Sequence, residues 1–290
     1  SFQDGCNTIM QAVTAKGQTP ASNSPTDIAA AISGIGEGFY NAELLYRANK
    51  SSSASKELTV SDTHTLKESG YYLAFLAGFS STLNTSYTVQ NTSLLLYNSS
   101  ASFTSDGNII AYGDAGGGGT IHDYSKYAIF SGVKDKTISF NKYIKSDYYN
   151  VCAATAFGLF RVEQGTSLVY KTYKTGTAKE KVTLNASYNI STAGKYLVIA
   201  ASHGAAINAG YTDVITGIKT TIKFNNNVVI DLPVNEKMKV DSGNNQGSIS
   251  SDVEYAFVEG TGTVYVERYY CTHNTYTAFV SLELFVFKIG

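Results

Sequence analysis

Ser69-Gly70-Tyr71-Tyr72-Leu73-Ala74-Phe75-Leu76-Ala77-Gly78 decides how the chain is read, because Ala193-Gly194-Lys195-Tyr196-Leu197-Val198-Ile199-Ala200 repeats its shape. In each stretch a Gly that permits a turn is followed at once by an aromatic and aliphatic run of strand length, the pattern of a chain entering a buried strand. The same shift of 124 (194 − 70) lays Leu58-Thr59-Val60 on Val182-Thr183-Leu184 without a gap. Further on, Lys136-Thr137-Ile138-Ser139-Phe140-Asn141-Lys142-Tyr143 corresponds to Gly262-Thr263-Val264-Tyr265-Val266-Glu267-Arg268-Tyr269 at a shift of 126 (263 − 137). A drift of two residues over the whole unit predicts two tandem copies of one all-β domain of about a hundred residues, each with seven or eight short antiparallel strands.

The strands of the first copy are expected at 57–60, 70–77, 93–97, 108–112, 125–130, 136–143 and 149–162. Turn signals such as Asp106-Gly107-Asn108 and Gly116 to Gly119 separate them. The second copy resumes after a short strand around 167–173, at 181–184, 195–201, 220–224, 228–232, 255–258, 262–270 and 275–288. The strands closing each copy, Ala153 to Val162 and Ala278 to Lys288, are apolar nearly throughout. Such a strand is buried on both faces, either between two sheets or between a sheet and a neighbouring subunit. Upstream, Gly36 to Ser55 ends in Ser51-Ser52-Ser53-Ala54-Ser55, and this last piece reads as a linker.

Composition narrows the function classes. Charge is sparse at 16% and sums to −1, which argues against a nucleic-acid footprint or a polybasic membrane contact. Neither a secretion signal nor an apolar run of membrane-spanning length is visible, so no membrane insertion is expected. The 22 Tyr and 14 Phe without any Trp, in a background of Ser, Thr and Asn, favour strands and hydrogen-bonding surfaces. Cys6, Cys152 and Cys271 are an odd number without C-x-x-C spacing and read as ordinary thiols. Six N-x-S/T triplets, at Asn49, Asn84, Asn91, Asn98, Asn185 and Asn189, follow from a chain rich in Asn and Ser.

At the N-terminus Ile9, Met10 and Val13 stand at helical spacing, with Gly17 placed to end the helix. Ser24-Pro25-Thr26-Asp27 then puts an N-cap serine before a Pro at the first helical position, with an acid three residues after the cap. A second helix is expected over 25–33. Its stripe of Ile28, Ala31, Ile32 and Ile35 is too thin to close a core by itself, so Ile28, Ile32 and Ile35 are candidate assembly residues. The pattern Gly5-Cys6-Asn7-Thr8-Ile9, Lys16-Gly17-Gln18-Thr19-Pro20, Ser24, Asp27-Ile28-Ala29 and Ile32-Ser33-Gly34-Ile35 resembles a segment of tail-fibre and other minor structural proteins from phages and prophages of Gram-positive bacteria. The resemblance covers about the first 35 residues. It implies an attachment segment upstream of a receptor-facing part, assembly as a homotrimer, contact with other virion tail proteins and a place in the phage tail.

No constellation spells out a reaction. His64, His122, His203 and His273 lie at no metal-ligand spacing, and neither His122-Asp123 nor Cys271-Thr272-His273 has a counterpart in the other copy. Gly116 to Gly119 lacks the Lys and Ser/Thr of a phosphate-binding loop. Asp106, Asp114, Asp123 and Asp135 sit in turn contexts rather than as a marked pair of catalytic carboxylates. No enzyme, metal or cofactor is therefore expected. Tyrosine is the suggestive surface feature: Tyr143, Tyr148 and Tyr149 in the first copy, and Tyr269, Tyr270 and Tyr276 in the second, offer flat faces with a hydroxyl suited to sugar rings or a protein surface, though Tyr is also a good strand former.

The resulting expectation is a mainly β chain with a short helical N-terminal segment over 1–55 and two repeated antiparallel β-sandwiches of jelly-roll type over 56–164 and 165–290. Its function is recognition of a host-surface glycan or protein from a virion. The alternatives are a purely structural virion module and a carbohydrate-binding or adhesin protein of a bacterial cell surface.

Overall fold

The computed structural model describes residues 2–14, 20–29, 42–54, 56–82, 88–96, 99–100, 105–112, 119–146, 151–179, 181–208, 215–229, 235–242, 245–272 and 277–290. The chain divides into two compact units, Ser1–Glu43 and Leu44–Gly290. In the first, α1 spans Phe2–Thr14, and a second helical turn covers 25–29. The backbone N–H of Asp27 donates to Ser24 Oγ at 3.1 Å and that of Ile28 to the Ser24 carbonyl at 3.0 Å, which is the N-cap the sequence predicts. Cys6 and Ile28 are buried. Gly17 and the remainder of the expected second helix, with Ile32 and Ile35, lie outside the described residues.

Strands build the second unit. In the first repeat they are β1 (Ala42–Ala54), β2 (Glu57–Thr65), β3 (Gly70–Thr82), β4 (Thr88–Leu96), β5 (Ser99–Ser100), β6 (Ser105–Tyr112), β7 (Gly119–Gly132), β8 (Thr137–Ser146) and β9 (Val151–Val162). In the second they are β10 (Ser167–Lys179), β11 (Lys181–Ile190), β12 (Lys195–Asn208), β13 (Ile215–Phe224), β14 (Asn227–Val228), β15 (Asn235–Ser242), β16 (Asn245–Glu259), β17 (Gly262–Thr272) and β18 (Thr277–Ile289). The first set forms a five-stranded sheet in the order β1-β9-β3-β7-β6 and a four-stranded sheet in the order β2-β8-β4-β5. The second repeats both, as β10-β18-β12-β16-β15 and β11-β17-β13-β14. Strand n of one repeat thus answers strand n + 9 of the other, in the two-sheet jelly-roll arrangement.

Two expectations are corrected. The Ser-rich piece read as a linker is part of β1, an edge strand beside β9. Among the described residues each repeat shows nine strands rather than seven or eight. One of them, Asn-Glu-Lys-Met-Lys-Val-Asp-Ser of β15, is an edge strand whose charges conceal it. Of the strand expected at 228–232, Val228 pairs in the two-residue β14, and residues 230–232 lie outside the described residues.

Strand parity explains why the quoted motif is continuous in apolar residues. Tyr72, Ala74 and Leu76 of β3 point into the first sandwich with Leu94 of β4, Ile138 and Phe140 of β8, and Phe157 and Leu159 of β9. Tyr196, Val198 and Ala200 of β12 do the same in the second with Ile222, Val264, Val266, Leu282, Leu284 and Val286. The alternate residues Leu73, Phe75 and Ala77, and Leu197, Ile199 and Ala201, face the other way and are just as buried. They are covered because the five-stranded sheets of the two sandwiches pack on each other. Phe75 meets Phe285 edge-on with centroids 5.2 Å apart, Tyr127 meets Phe287 at 5.2 Å and 74°, and Phe160 meets Tyr255 at 5.3 Å and 77°. The terminal strands β9 and β18 are therefore buried on both faces within one chain. No neighbouring subunit is needed to cover them.

The last two contacts are counterparts. Tyr127 stands opposite Phe75 in the β3–β7 register, as Tyr255 stands opposite Ile199 in β12–β16. Phe160 stands opposite Leu73 in β3–β9, as Phe287 stands opposite Leu197 in β12–β18. The first sandwich thus touches the second through the same pair of positions, exchanged between them, as in a two-fold dimer.

Candidate functional site

The outward faces of the two four-stranded sheets are where large polar side chains meet solvent on a rigid support. On β17 the inward residues Val264, Val266 and Arg268 are fully buried, so alternation sends Tyr265, Glu267 and Tyr269 outward. Tyr269 lies under the Lys181 ammonium of β11, 4.6 Å from the ring centroid. Lys223 of β13, directly opposite Tyr265, stands 5.9 Å from that ring. The Tyr265 hydroxyl donates to Glu267 Oε2 at 3.2 Å. Partial burial and the Glu267 carboxylate push that phenol above its ordinary pKa, so the ring stays neutral and keeps its proton to donate. On the matching face of the first repeat, the Tyr143 hydroxyl donates to Glu57 Oε1 at 3.0 Å.

Of the tyrosines singled out in the sequence, Tyr269 is on this outward face. Tyr270 is the next residue of β17, paired with Val182 and Ile218. Tyr148, Tyr149 and Tyr276 lie outside the described residues. Tyr265 was not singled out, yet its parity with Tyr269 on one strand was legible.

Three polar groupings were missed. The first closes the seam between the edge strands β1 and β2. There Asp62 accepts from the Thr63 backbone N–H at 2.8 Å and from the Tyr46 hydroxyl at 3.2 Å, with Lys50 Nζ at 3.2 Å. Tyr46 stacks on His64 with centroids 4.0 Å apart. Burial works to raise the Asp62 carboxyl, but the Thr63, Lys50 and Tyr46 contacts prevail and hold it below the usual range. Burial, with Lys67 nearby, holds the His64 imidazole low against the pull of Asp62. Three donors on one carboxylate make an anchor for the seam rather than a group poised to take a substrate proton.

The second grouping lies between the sandwiches. The Ser125 hydroxyl donates to the Glu283 carboxylate, and Glu283 is followed along the same face of its sheet by Ser281, which pairs with His203. All four are buried. The serine donates to the acid, whereas the serine of a hydrolytic triad donates to the imidazole. The third grouping is a pair of fully buried cations, Lys142 on β8 and Arg268 on β17, at equivalent registers facing Thr92 and Thr220. Arg268 Nη1 donates to Thr220 Oγ1 at 3.0 Å, and Thr220 Oγ1 lies 3.1 Å from Ser202 Oγ. Among the described residues no three His, Cys, Asp or Glu side chains gather as metal ligands would, and Cys6 is a buried free thiol.

No protein-family model matches the chain, and no curated protein matches it. Among solved structures, a chain from the atomic structure of Sulfolobus turreted icosahedral virus aligns with 84% of this chain at 14% identity and a TM-score of 0.21. The alignment spans 60% of that chain's length. A likeness of that size carries no argument about this protein's fold or work.

Proposed function

We propose that the chain is a non-catalytic tail-fibre or receptor-binding protein of a phage or prophage, which recognises a glycan or protein on a host cell surface. The observation that carries this reading is the outward face of β17, where Tyr265 and Tyr269 stand on a four-stranded sheet with a lysine over each ring. Rigid aromatic faces of this kind bind with little ordering cost. The N-terminal resemblance to tail proteins supports placing that face on a virion, and the stacked sandwiches supply a stiff mount for it.

The full-length protein should bind intact Gram-positive cells or their isolated walls in a pull-down across a broad host panel. Uniform failure would reject recognition and leave a spacer or decoration role. Assembly is part of the proposal. Ile28 is already buried, so the contact that makes a homotrimer would fall to Ile32 and Ile35. Light scattering at micromolar concentration should give a trimer, and Ile32→Asp should weaken it while leaving the β-sandwiches folded. A monomer of 31.1 kDa would refute the trimer.

A further inference from the structure

We infer that the outward face of the β11-β17-β13 sheet is an anionic-glycan site, in which Tyr265 and Tyr269 stack on sugar rings while Lys181 and Lys223 pair with carboxylate or phosphate groups on the same polymer. The inference rests on the recognition reading and names its ligand class.

Two Lys–Tyr pairs lie along one strand, four residues apart and so roughly 13 Å at the rise of an extended chain. In each pair the lysine comes from a different flanking strand, Lys181 from β11 and Lys223 from β13. The face therefore offers a ring and a cation, then a second ring and cation, as a repeating polymer would require. A lysine over a half-buried surface ring is weakly held. An anionic sugar can draw the ammonium onto its own charge and take the ring face the lysine leaves.

The first repeat makes the contrast. By register, Glu57 stands where Lys181 does, Ser139 where Tyr265 does, Leu95 where Lys223 does and Asn141 where Glu267 does, and only Tyr143 keeps its ring opposite Thr59, as Tyr269 does opposite Thr183. Glu57 also faces Lys145 across the strands, so these two charges cancel. On the second repeat, two lysines against Glu267 leave an excess positive charge. One scaffold thus carries a neutral face and a cationic, doubly aromatic one, and charge complementarity selects an acidic polymer for the second.

The test is affinity electrophoresis of the full chain in gels containing polygalacturonate, a uronic-acid polymer, or neutral dextran, at low and high salt. Retardation by polygalacturonate and not by dextran is expected. Tyr265→Ala and Tyr269→Ala should each weaken it about tenfold, the scale of a hot-spot aromatic. The Lys181→Ala/Lys223→Ala pair should abolish the preference for the acidic polymer, and circular dichroism would verify that every variant is folded. Equal retardation by both polymers, or retardation that vanishes with salt and ignores both tyrosine substitutions, overturns the inference. Cell pull-down separates the two ideas. If the protein binds host cells but neither tyrosine variant loses binding and polygalacturonate is ignored, the anionic-glycan site fails while recognition stands. If no cells are bound, recognition itself fails.

Discussion

The two repeats share a skeleton to the level of single hydrogen bonds and differ in what they do with it. The Tyr72 hydroxyl donates to the Glu68 carbonyl at 2.7 Å, and the Tyr196 hydroxyl donates to the Thr192 carbonyl at the same distance. Tyr46 stacks on His64 where Tyr170 stacks on Tyr188. The crossed contacts Tyr127–Phe287 and Phe160–Tyr255 agree to 0.1 Å (5.2 and 5.3 Å). Positions that coincide in this way are those the jelly roll and the sandwich contact require. Departures mark where one repeat was free to change, and among the described residues they include the centre of the contact between sandwiches, the β1–β2 seam and the outward face of β17.

At the centre of the contact, Phe285 pairs with Ile199 in the second repeat, whereas Gly158 pairs with Phe75 in the first. Phe285 fills its place against Phe75 and Tyr127. Around Gly158 a small apolar pocket remains, lined among others by Ala156, Phe160, Ile199, Val253 and Tyr255, with about 20 Å³ free. That is room for one water molecule. A Cβ at Gly158 would come within 2.9 Å of the Phe160 ring, so a side chain there would have to displace that ring. The largest expected effect comes from emptying the other side as well. Phe285→Ala should cost about 3–5 kcal/mol in urea denaturation and split the unfolding into two transitions as the sandwiches lose their contact. A loss under about 1 kcal/mol would mean that the contact contributes little.

Beside it, Ser125 and Glu283 occupy the positions that Val253 and Ala156 occupy on the other side of the pseudo-two-fold. Ser125→Val removes a donor from a buried carboxylate and should cost about 1–3 kcal/mol. Ser125→Val with Glu283→Ala copies the apolar pair of the other side and should recover part of that loss, because the carboxylate goes with its donor. Additive losses in denaturant titrations of the single and double variants would show that the polar pair does not act as a unit.

The repeat, the sandwich type and the Ser24 cap were legible because they rest on local pattern: a turn glycine before an apolar run, alternation, and a capping serine. The edge strands β1 and β15 were not, since an edge pairs on one side only and tolerates serine and lysine that elsewhere announce a linker or a loop. That β9 and β18 were buried on both faces could be read from composition, but not that each covers the other's sandwich, since nothing local encodes which apolar faces meet. The buried cations had a signal that went unread. Lys142 aligns with Arg268 at the shift of 126, and its parity with Phe140 and Ile144 turns both inward. On the candidate face, Tyr269 was legible as a surface aromatic, whereas the lysines beside it depend on strand register that sequence spacing does not supply.

The smallest effect expected is a pH response confined to one seam. In the first repeat His64 and Asp62 stand where the second has Tyr188 and the buried Ala186. Burial and Lys67 hold the His64 imidazole below its usual value of 6.5, so the folded state takes up that proton less readily than the unfolded chain. Its share of stability is present above about pH 6.5 and is lost as pH falls through the lower folded value. Asp62 acts in the same direction at more acidic pH. Its carboxyl is held low against burial by Thr63, Lys50 and Tyr46, so its contribution is present above the unfolded value near 3.8 and disappears as pH drops through the folded one. The Tyr170–Tyr188 seam has neither an imidazole nor a carboxylate at these positions. Hydrogen exchange corrected for intrinsic rates should therefore show β1 and β2 losing protection between about pH 7.5 and about pH 5.5, the interval around an ordinary histidine pKa, while β10 and β11 keep theirs. His64→Tyr rebuilds the stack of the second repeat and should flatten the response of the first. Equal loss at both seams, or an unchanged response in His64→Tyr, would place the acid sensitivity elsewhere, with the buried carboxylate of Glu283 between the sandwiches the next group to substitute.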